Sequence, residues 1–154
     1  MEDFVIEMLH ITKEFPGIKA NDDVTLQLRR GEIHALLGEN GAGKSALMSV
    51  LFGLYQPEQG IIKKDGKEVQ IRNPNDATAL HIGMVHQHFK LVECFTVLDN
   101  IILGAEPMHG CVVDRKAARK RVVELSEKYG LKVDPDARIE DISVGMQQRV
   151  EILK

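Results

Sequence analysis

The sequence has few cysteines, no excess of basic residues and no long apolar run, and each absence excludes a class of protein. The two cysteines, Cys94 and Cys111, have no metal-site spacing and indicate reduced thiols in a cytosolic compartment. The net charge of −3 and pI near 6.1 argue against a general nucleic-acid binder. No apolar run approaches the roughly 18 residues of a membrane span. The acidic start, residues 1–3, argues against a secretory signal, so any membrane role is expected to be peripheral.

What is present is the composition of an ordinary globular domain. The chain has 154 residues, of which 44% are hydrophobic and 28% charged. That length favours one domain, and those proportions are typical of a soluble protein with its own core.

One stretch carries a strong chemical signal. Residues 38–45 read Gly-Glu-Asn-Gly-Ala-Gly-Lys-Ser and match the phosphate-loop pattern G-x-x-x-x-G-K-[ST] at every fixed position. The apolar run at 33–37 predicts a buried strand before it, and 46–52 predicts a buried helix after it. The alternative is an ordinary glycine-rich turn, although the fixed positions should match by chance in only about 1% of chains this long. The motif and its context therefore predict nucleotide binding.

The residue types of the loop explain why it suits a phosphate. Gly38, Gly41 and Gly43 allow positive φ and a close approach of the backbone to a ligand. Successive N–H groups then form an anion-binding concavity at a helix N-terminus. Lys44 brings a positive charge to the β- and γ-phosphates, and the Ser45 hydroxyl is a magnesium ligand. The candidate nucleotide-binding residues of the loop are Gly38, Glu39, Asn40, Gly41, Ala42, Gly43, Lys44 and Ser45.

The rest of the chain predicts mixed strands and helices, with a helix-rich block at 92–142. Asp65 and Gly66 form a two-residue hairpin signal. Asp114 is expected to cap a helix that ends at Gly130, and the basic first half of that helix is interpreted as a solvated face. Strands are predicted at about 4–14, 24–29, 33–37, 61–64, 67–71 and 82–86, and helices at about 46–52, 74–80, 96–103 and 115–129.

The closing segment resembles a family signature. Residues 142–151 read Ile-Ser-Val-Gly-Met-Gln-Gln-Arg-Val-Glu and resemble the Leu-Ser-Gly-Gly-Gln and Gln-Gln-Arg-Val motif of ATP-binding cassette (ABC) ATPases. A phosphate loop, a glutamine about forty residues later (Gln87) and this signature, in this order, make a specific combination. The runs GENGAGKS, MVHQHF and SVGMQQRVEILK are similar to importers of simple sugars and nucleosides, in which two cassettes commonly lie in tandem on one polypeptide.

The resemblance covers essentially the whole chain and implies its architecture. The implied fold class is α/β, a P-loop NTPase with a RecA-like core, an antiparallel β subdomain and a helical subdomain, incomplete at the C-terminus. Residues 1–88 then supply the β subdomain and the phosphate-loop part of the core. Residues 89–142 supply the helical subdomain, and residues 143–154 the signature helix.

The resemblance also assigns roles to residues around the nucleotide. Phe15 matches the aromatic residue that stacks on adenine, although a core residue at a strand end is the alternative. Lys44 and Ser45 keep their phosphate and magnesium roles. Gln87 matches the glutamine that reaches the metal and the attacking water and senses the permease; without the family it is an ordinary polar residue at a strand end. Lys44 and Gln87 are thus the expected catalytic residues, and Ser45 and Gln87 the expected metal ligands.

Two signature residues are expected to act on the opposite cassette. Ser143 and Gly145 match positions that close over the γ-phosphate held there. A hydroxyl, free N–H groups and the positive end of a helix would face an anion. Without the family Ser143 is simply an N-cap, a role compatible with the functional one. His86 and His88 flank Gln87 but lack an evident third ligand, so no metal site is expected there.

The sequence departs from the family at three positions and at its end. Val144 and Met146 replace a glycine and a glutamine of the signature, a change that related sugar importers tolerate. Ala46 replaces a threonine whose hydroxyl reaches the α-phosphate, a loss expected to weaken binding by up to about tenfold. The family next has an apolar strand ending in an aspartate that supports Mg²⁺ and a glutamate that polarises water, and the chain stops at Lys154 before them.

The implied function is an ATP-binding subunit that couples ATP binding and hydrolysis to import of a sugar or nucleoside. The implied cofactors are ATP and Mg²⁺. The implied partners are a second cassette, membrane permease subunits and, indirectly, a substrate-binding protein, at the cytoplasmic face of the cell membrane. The alternative is a catalytically incompetent nucleotide-binding fragment or regulator that lacks the carboxylates. An ABC-type ATPase of chromosome or repair machinery is disfavoured because only about fifty-five residues, with no sustained heptads, separate Gln87 from Ser143.

Two further expectations follow from this interpretation. A short apolar cluster follows Gln87 closely in the sequence and is a candidate permease-docking surface, with a local core as the alternative. Its members are Phe89, Leu91, Val92 and Phe95. The chain alone is expected neither to hydrolyse ATP nor to complete its core sheet. Without neighbouring strands, the apolar face of residues 33–37 would be left uncovered.

Overall fold

The computed structural model describes residues 4–85, 90–110 and 112–154 of the chain. The chain divides into two compact units, Met1–Met84 and Val85–Lys154. Within the described residues, no helix combines the length and the apolar character needed to cross a membrane.

The first unit is built on a four-stranded antiparallel sheet. Its strands are β1 (Phe4–Phe15), β2 (Ile18–Arg29), β3 (Gln59–Lys64) and β4 (Lys67–Val69), in the spatial order β2–β1–β3–β4. The predicted strands at 4–14, 24–29, 61–64 and 67–71 are confirmed, and β2 begins six residues earlier than predicted. β1 pairs with β2 on one side and with β3 on the other, so it is an internal strand of the sheet.

An irregularity in β1 changes which side chains reach the core. Met8 and Ile11 are three residues apart, yet both are fully buried, although alternate residues of a regular strand share a face. The pairing with β2 shifts register between them, where His10 has a φ of 56° and lies near Asp23, with a φ of 52°. The two side chains form a hydrogen bond, with 2.6 Å between His10 Nδ1 and Asp23 Oδ1.

The turn between β3 and β4 has the predicted chemistry. Asp65 and Gly66 have φ values of 49° and 75°. Positive φ at both central residues is the geometry of a two-residue hairpin turn whose twist matches that of the strands. The hairpin predicted at this dipeptide is therefore confirmed.

Two short helices complete the core of the first unit. Leu47 and Val50 of α1 (Lys44–Leu51) are buried against the sheet. α2 (Pro74–Ala79) begins after Asn73, whose side chain accepts hydrogen bonds from the N–H groups of the helix's second and third residues. The helices predicted at 46–52 and 74–80 are therefore confirmed.

The strand predicted immediately before the phosphate loop is wrong. Residues 33–37 form no strand and are all exposed, Ile33 completely and Leu37 by 88%. A strand needs a neighbour for its N–H and C=O groups, and no described strand pairs with this run. The expected loss of cover over its apolar face is thereby confirmed. Residues 82–85 also form no strand, contrary to prediction.

The second unit is mostly helical. The helices predicted at 96–103, at 115–129 and from 144 onwards are confirmed. Asp114 caps α4 by accepting the Ala117 N–H, and Gly130 follows the helix with a φ of 67°. The elements of this unit are α3 (Val97–Ile102), β5 (Met108–His109), β6 (Val112–Val113), α4 (Arg115–Lys128), a 3₁₀ helix (Ile139–Asp141) and α5 (Val144–Leu153).

Two apolar clusters hold these helices together, and α3 contributes to both. On one side α3 packs against α4, and on the other against the 3₁₀ helix and α5. The buried members of the first cluster are Leu98, Ile102, Ala118 and Val122, and those of the second are Val97, Ile139 and Val150. The short helix α3 is therefore the centre of the unit.

Candidate functional site

The phosphate loop turns into α1 through a glycine in the left-handed region. Gly43 is the N-cap residue of α1, with a φ of 82°, and Gly41 has a φ of 87°. The Gly43 carbonyl accepts the Leu47 N–H at 2.9 Å, the first bond of the helix, and the Ala42 N–H donates to the Glu39 carbonyl at 3.2 Å. Side chains with a Cβ rarely adopt such φ values, so these glycines are required by the shape of the loop.

The backbone of β2 packs closely against the same glycine. A Cβ on Gly43 would lie 2.1 Å from the Ala20 carbonyl oxygen and 2.7 Å from Asn21 Nδ2. No side chain fits in that space, so Gly43 is required by packing as well as by φ. Asn21 was not predicted from the sequence, because it precedes the predicted start of the strand at Val24 and no motif includes it.

The side chain of Lys44 folds back over the loop. Its Nζ donates to the carbonyl oxygens of Gly38 and Glu39, each at 2.6 Å. These two bonds hold the ammonium among the backbone groups of the loop, while Ser45 in the first turn of α1 is exposed. The structure thus places a cation, a hydroxyl and the positive end of a helix together, and that set suits a phosphate group.

The predicted adenine-stacking residue lies in an aromatic and charged cluster. Phe15 is half-buried, and its ring contacts Tyr55 edge to face at 5.1 Å between centroids. Lys13 Nζ lies 5.3 Å from the Phe15 centroid and bonds Glu58 Oε1 at 2.6 Å. That bond, with the Glu14 N–H, holds the pKa of the Glu58 carboxyl below its usual range. The stacking role of Phe15 stays a prediction, and Tyr55 is a neighbour that the sequence did not reveal.

The signature segment begins α5 as predicted. Ser143 has extended backbone and is the N-cap residue, but its side chain makes no capping hydrogen bond. Gly145 is exposed in the first turn, where an added Cβ would meet nothing within 4 Å. The Gln147 side chain instead donates to the Ile139 carbonyl at 3.1 Å and ties α5 to the 3₁₀ helix. The Ser143 hydroxyl is therefore not used to cap its own helix.

Some predicted site residues are not among those that the structure describes. Gln87, His86, His88 and Phe89 lie outside the described residues. Across 4–85, 90–110 and 112–154, no group of three His, Cys, Asp or Glu side chains could hold a metal ion.

Two members of the candidate docking cluster have different environments. Leu91 is half-buried and packs on the cluster around Val97, whereas Phe95 is 39% exposed. The environment of Leu91 is that of a local core, whereas Phe95 is exposed enough to belong to a docking surface. The docking role of the cluster stays a prediction.

Comparison with known proteins gives a consistent result. A family model described as ABC transporter matches residues 21–154. The chain is 62% identical over 152 residues to the guanosine import ATP-binding protein NupO of Bacillus subtilis strain 168. It is 59% identical over 150 residues to the nucleoside import ATP-binding protein NupA of Lactococcus lactis subsp. cremoris, and 48% identical over 150 residues to the ribose import ATP-binding protein RbsA 1 of Rubrobacter xylanophilus. These alignments cover 99%, 97% and 97% of the chain, which spans about 30% of the length of each relative.

Solved structures agree on the fold. CbiO1 from Clostridium perfringens, part of the ABC transporter complex cbiONQ, matches with a TM-score of 0.77 and 27% identity, over 99% of this chain and 61% of that chain. The dimeric structure of MJ0796, a bacterial ABC transporter cassette, matches with a TM-score of 0.75 and 28% identity, over 96% of this chain and 67% of that chain. The predicted fold class, the α/β P-loop NTPase fold of an ABC cassette, is confirmed.

Proposed function

The chain belongs to the ABC transporter family, and we propose that it is the ATP-binding part of a protein that drives import of a small solute through a membrane permease. Relatives at 62% and 59% identity are named as import ATP-binding proteins. The observation that carries the proposal is the loop in which Gly43 is seated against β2 and Lys44 Nζ is held among the loop carbonyls. That arrangement supports the proposal, because a cation and a helix N-terminus beside glycine backbone suit a polyphosphate.

The chain's own residues would divide the work of binding. Lys44 offsets the charge of the β- and γ-phosphates, and the exposed Ser45 hydroxyl is available to Mg²⁺. Phe15 offers its ring to adenine. Bound MgATP supplies the phosphoryl group that water attacks, and Gln87 is the residue proposed to orient that water. Phosphoryl transfer of this kind depends mainly on positioning and charge.

The signature residues would act on a second nucleotide-binding unit. Ser143 keeps its hydroxyl free of its own helix, and Gly145 leaves the first turn of α5 open. Both features suit an approach to the γ-phosphate held by a second cassette. The dimeric structure reported for the similar cassette MJ0796 supports pairing of two such units.

Binding should depend more on the phosphates than on the base. We expect Lys44→Ala to weaken MgATP binding on the order of a hundredfold, because the ammonium interacts with several negatively charged phosphate oxygens. Phe15→Ala should cost roughly threefold to tenfold, the value of one stacking contact. Equilibrium titration with a fluorescent ATP analogue measures both. Lys67→Ala, at an exposed position of the hairpin, serves as the charge-matched control, and equal losses in the Lys44 and Phe15 variants would contradict the proposal.

We propose that the imported solute is a nucleoside rather than a simple sugar. The relative at 62% identity is named for guanosine import and the relative at 59% identity for nucleoside import, whereas the relative named for ribose import is 48% identical. Cells carrying the complete transporter should take up labelled guanosine, and excess unlabelled nucleoside should abolish that uptake while excess ribose should not. Competition by ribose alone would assign a sugar instead.

The proposed partners follow from import. They are membrane permease subunits, a second cassette and, indirectly, a substrate-binding protein, and nucleic acid is not among them. The proposed location is the cytoplasmic face of the cell membrane, where the ATP-binding part of an importer meets both ATP and the permease.

A further inference from the structure

A buried asparagine lies beneath the phosphate loop. Asn21, on β2, is only 5% exposed. Its Nδ2 donates to the Gly43 carbonyl at 3.2 Å, whereas its Oδ1 is buried without a hydrogen-bond partner in the described part of the chain. One half of this amide therefore holds the loop, and the other half is unsatisfied.

Folding stability does not account for an asparagine at this position. A buried acceptor without a donor costs free energy. The Gly43 carbonyl also accepts the Leu47 N–H at 2.9 Å, so it would stay bonded if the Asn21 amide were removed. An apolar side chain of similar size should therefore fold at least as stably here as asparagine does.

The hydrogen bond from Asn21 reaches the Gly43–Lys44 peptide, and the orientation of that peptide determines which backbone group faces a bound ligand. The Gly43 carbonyl and the Lys44 N–H belong to the same planar, trans peptide and point in opposite directions. The Leu47 N–H directs this carbonyl along the helix, and Asn21 Nδ2, as a second donor, restrains its remaining rotation, so that the Lys44 N–H is held pointing away from the helix. The Ala20 carbonyl oxygen, close against Gly43, limits movement of the glycine on the strand side.

We propose that Asn21 is a positioning residue for polyphosphate binding: it fixes the Gly43–Lys44 peptide so that the Lys44 N–H faces a phosphate of the ligand. This inference rests on the proposed function, because the ligand is the triphosphate of the nucleotide. Asn21 acts through the loop and does not itself touch the nucleotide. Its contribution should therefore be the same for a nucleotide and for an inorganic polyphosphate.

The test compares binding with stability in Asn21→Leu. Isothermal titration of the purified full-length protein with MgATP and with magnesium tripolyphosphate gives the two affinities, and thermal unfolding gives Tm. Both affinities should fall by the same factor, roughly threefold to tenfold for one lost hydrogen bond. Tm should be unchanged or raised, because the unsatisfied Oδ1 is removed. A merely structural residue would not separate the two readouts in this way.

Thr12→Val is the matched control from the neighbouring strand. Thr12 is also buried, 6% exposed, and its Oγ1 accepts the Asp23 N–H at 3.2 Å. Loss of this hydrogen bond should lower Tm and leave both affinities unchanged.

Asn21→Asp preserves the shape of the side chain, but the carboxylate cannot donate a hydrogen bond when it is ionised. This variant should bind weakly at neutral pH and recover, relative to the unaltered protein at the same pH, as acid protonates the carboxyl.

The outcomes separate this inference from the proposed function. Unchanged affinity in Asn21→Leu, with or without a lower Tm, overturns the positioning role. A loss for MgATP but not for tripolyphosphate also overturns it, because Asn21 would then act on the nucleoside. Failure of Asn21→Leu to fold contradicts the expected stability. If the unaltered protein binds neither probe, the proposed function fails first.

Discussion

Asn100 is a polar residue whose burial is explained by what it binds. Its side chain is completely buried in α3, with Oδ1 accepting the Val92 N–H at 2.7 Å and Nδ2 donating to the carbonyls of Val92 and Thr96, each at 3.0 Å. A single amide thus satisfies both backbone groups of Val92 and fastens the segment that precedes α3. This segment directly follows the residues around Gln87.

Replacing this amide should destabilise the second unit. Asn100→Leu leaves the Val92 N–H without a partner, while the Val92 carbonyl still accepts the Phe95 N–H at 3.1 Å, so we expect a loss of about 1–3 kcal/mol in the free energy of unfolding. Asn100→Asp retains the acceptor for the Val92 N–H but, when ionised, buries a carboxylate against the carbonyl oxygens of Val92 and Thr96, so its loss should be smaller in acid than at neutral pH. Urea denaturation measures both changes, and a leucine variant as stable as the unaltered protein would show that the network contributes nothing.

Asp99 should make the stability of the same helix sensitive to acid. The Arg115 guanidinium, together with the Thr96 hydroxyl, holds the pKa of the Asp99 carboxyl below its usual range. Since the folded-state pKa is the lower one, this contribution is present above the unfolded pKa of about 4 and is lost as the pH falls through the folded value. Asp99→Asn should therefore flatten the decline of Tm below about pH 5. Arg115→Gln should flatten it partly, and an unchanged slope in both variants would contradict the assignment.

Residues with a motif or a capping role were predictable, whereas residues that bind backbone groups outside any motif were not. Lys44, Asp114 and Ser143 each stand at a fixed offset from a loop or a helix start, so the sequence alone predicts their positions. Asn21 is recognisable only when Gly43, 22 residues away, has been brought to it, and Asn100 only when the segment before α3 has folded back onto the helix.

At the scale of elements, turn and cap residues in the sequence correctly predicted the features that depend on contacts between neighbouring residues. The hairpin at Asp65 was predicted from turn chemistry, and the cap of α4 at Asp114 from cap chemistry. Residues 33–37 were predicted as a strand from their apolar run, but a strand exists only when another strand pairs with it. Their exposure shows that hydrophobicity alone does not determine secondary structure.

The end of α1 offers a test of packing between elements. Gly53 follows α1 with a φ of 77°, and an added Cβ would lie 2.6 Å from the Asn73 carbonyl oxygen, at the start of α2. Gly53→Ala should therefore cost about 2–4 kcal/mol, from backbone strain and the displaced cap together.

Gly66→Ala is the matched control for this change. Gly66 has nearly the same φ, 75°, but an added Cβ meets nothing within 4 Å, so only the backbone strain of about 1 kcal/mol is expected. Chemical denaturation of both variants measures the difference. Equal losses would mean that the contact between Gly53 and the α2 cap has no energetic weight.

At the scale of the whole molecule, the segment after Gln87 is expected to meet the permease. Lys90 is exposed beside the half-buried Leu91. In the complete transporter, with Cys94 and Cys111 replaced by serine, Lys90→Cys should form a crosslink to a membrane subunit. Lys67→Cys, in the first unit, serves as the control. A crosslink from the control and none from Lys90→Cys would place the docking surface elsewhere.

We propose that ATP held at this phosphate loop drives import. The most direct test of this proposal is nucleoside uptake into proteoliposomes that contain the complete transporter and its binding protein. Labelled guanosine should accumulate with MgATP but not with MgADP. Lys44→Ala should reduce the rate to near background, whereas Lys67→Ala should retain it. Undiminished, ATP-dependent uptake by the Lys44→Ala transporter would contradict the account.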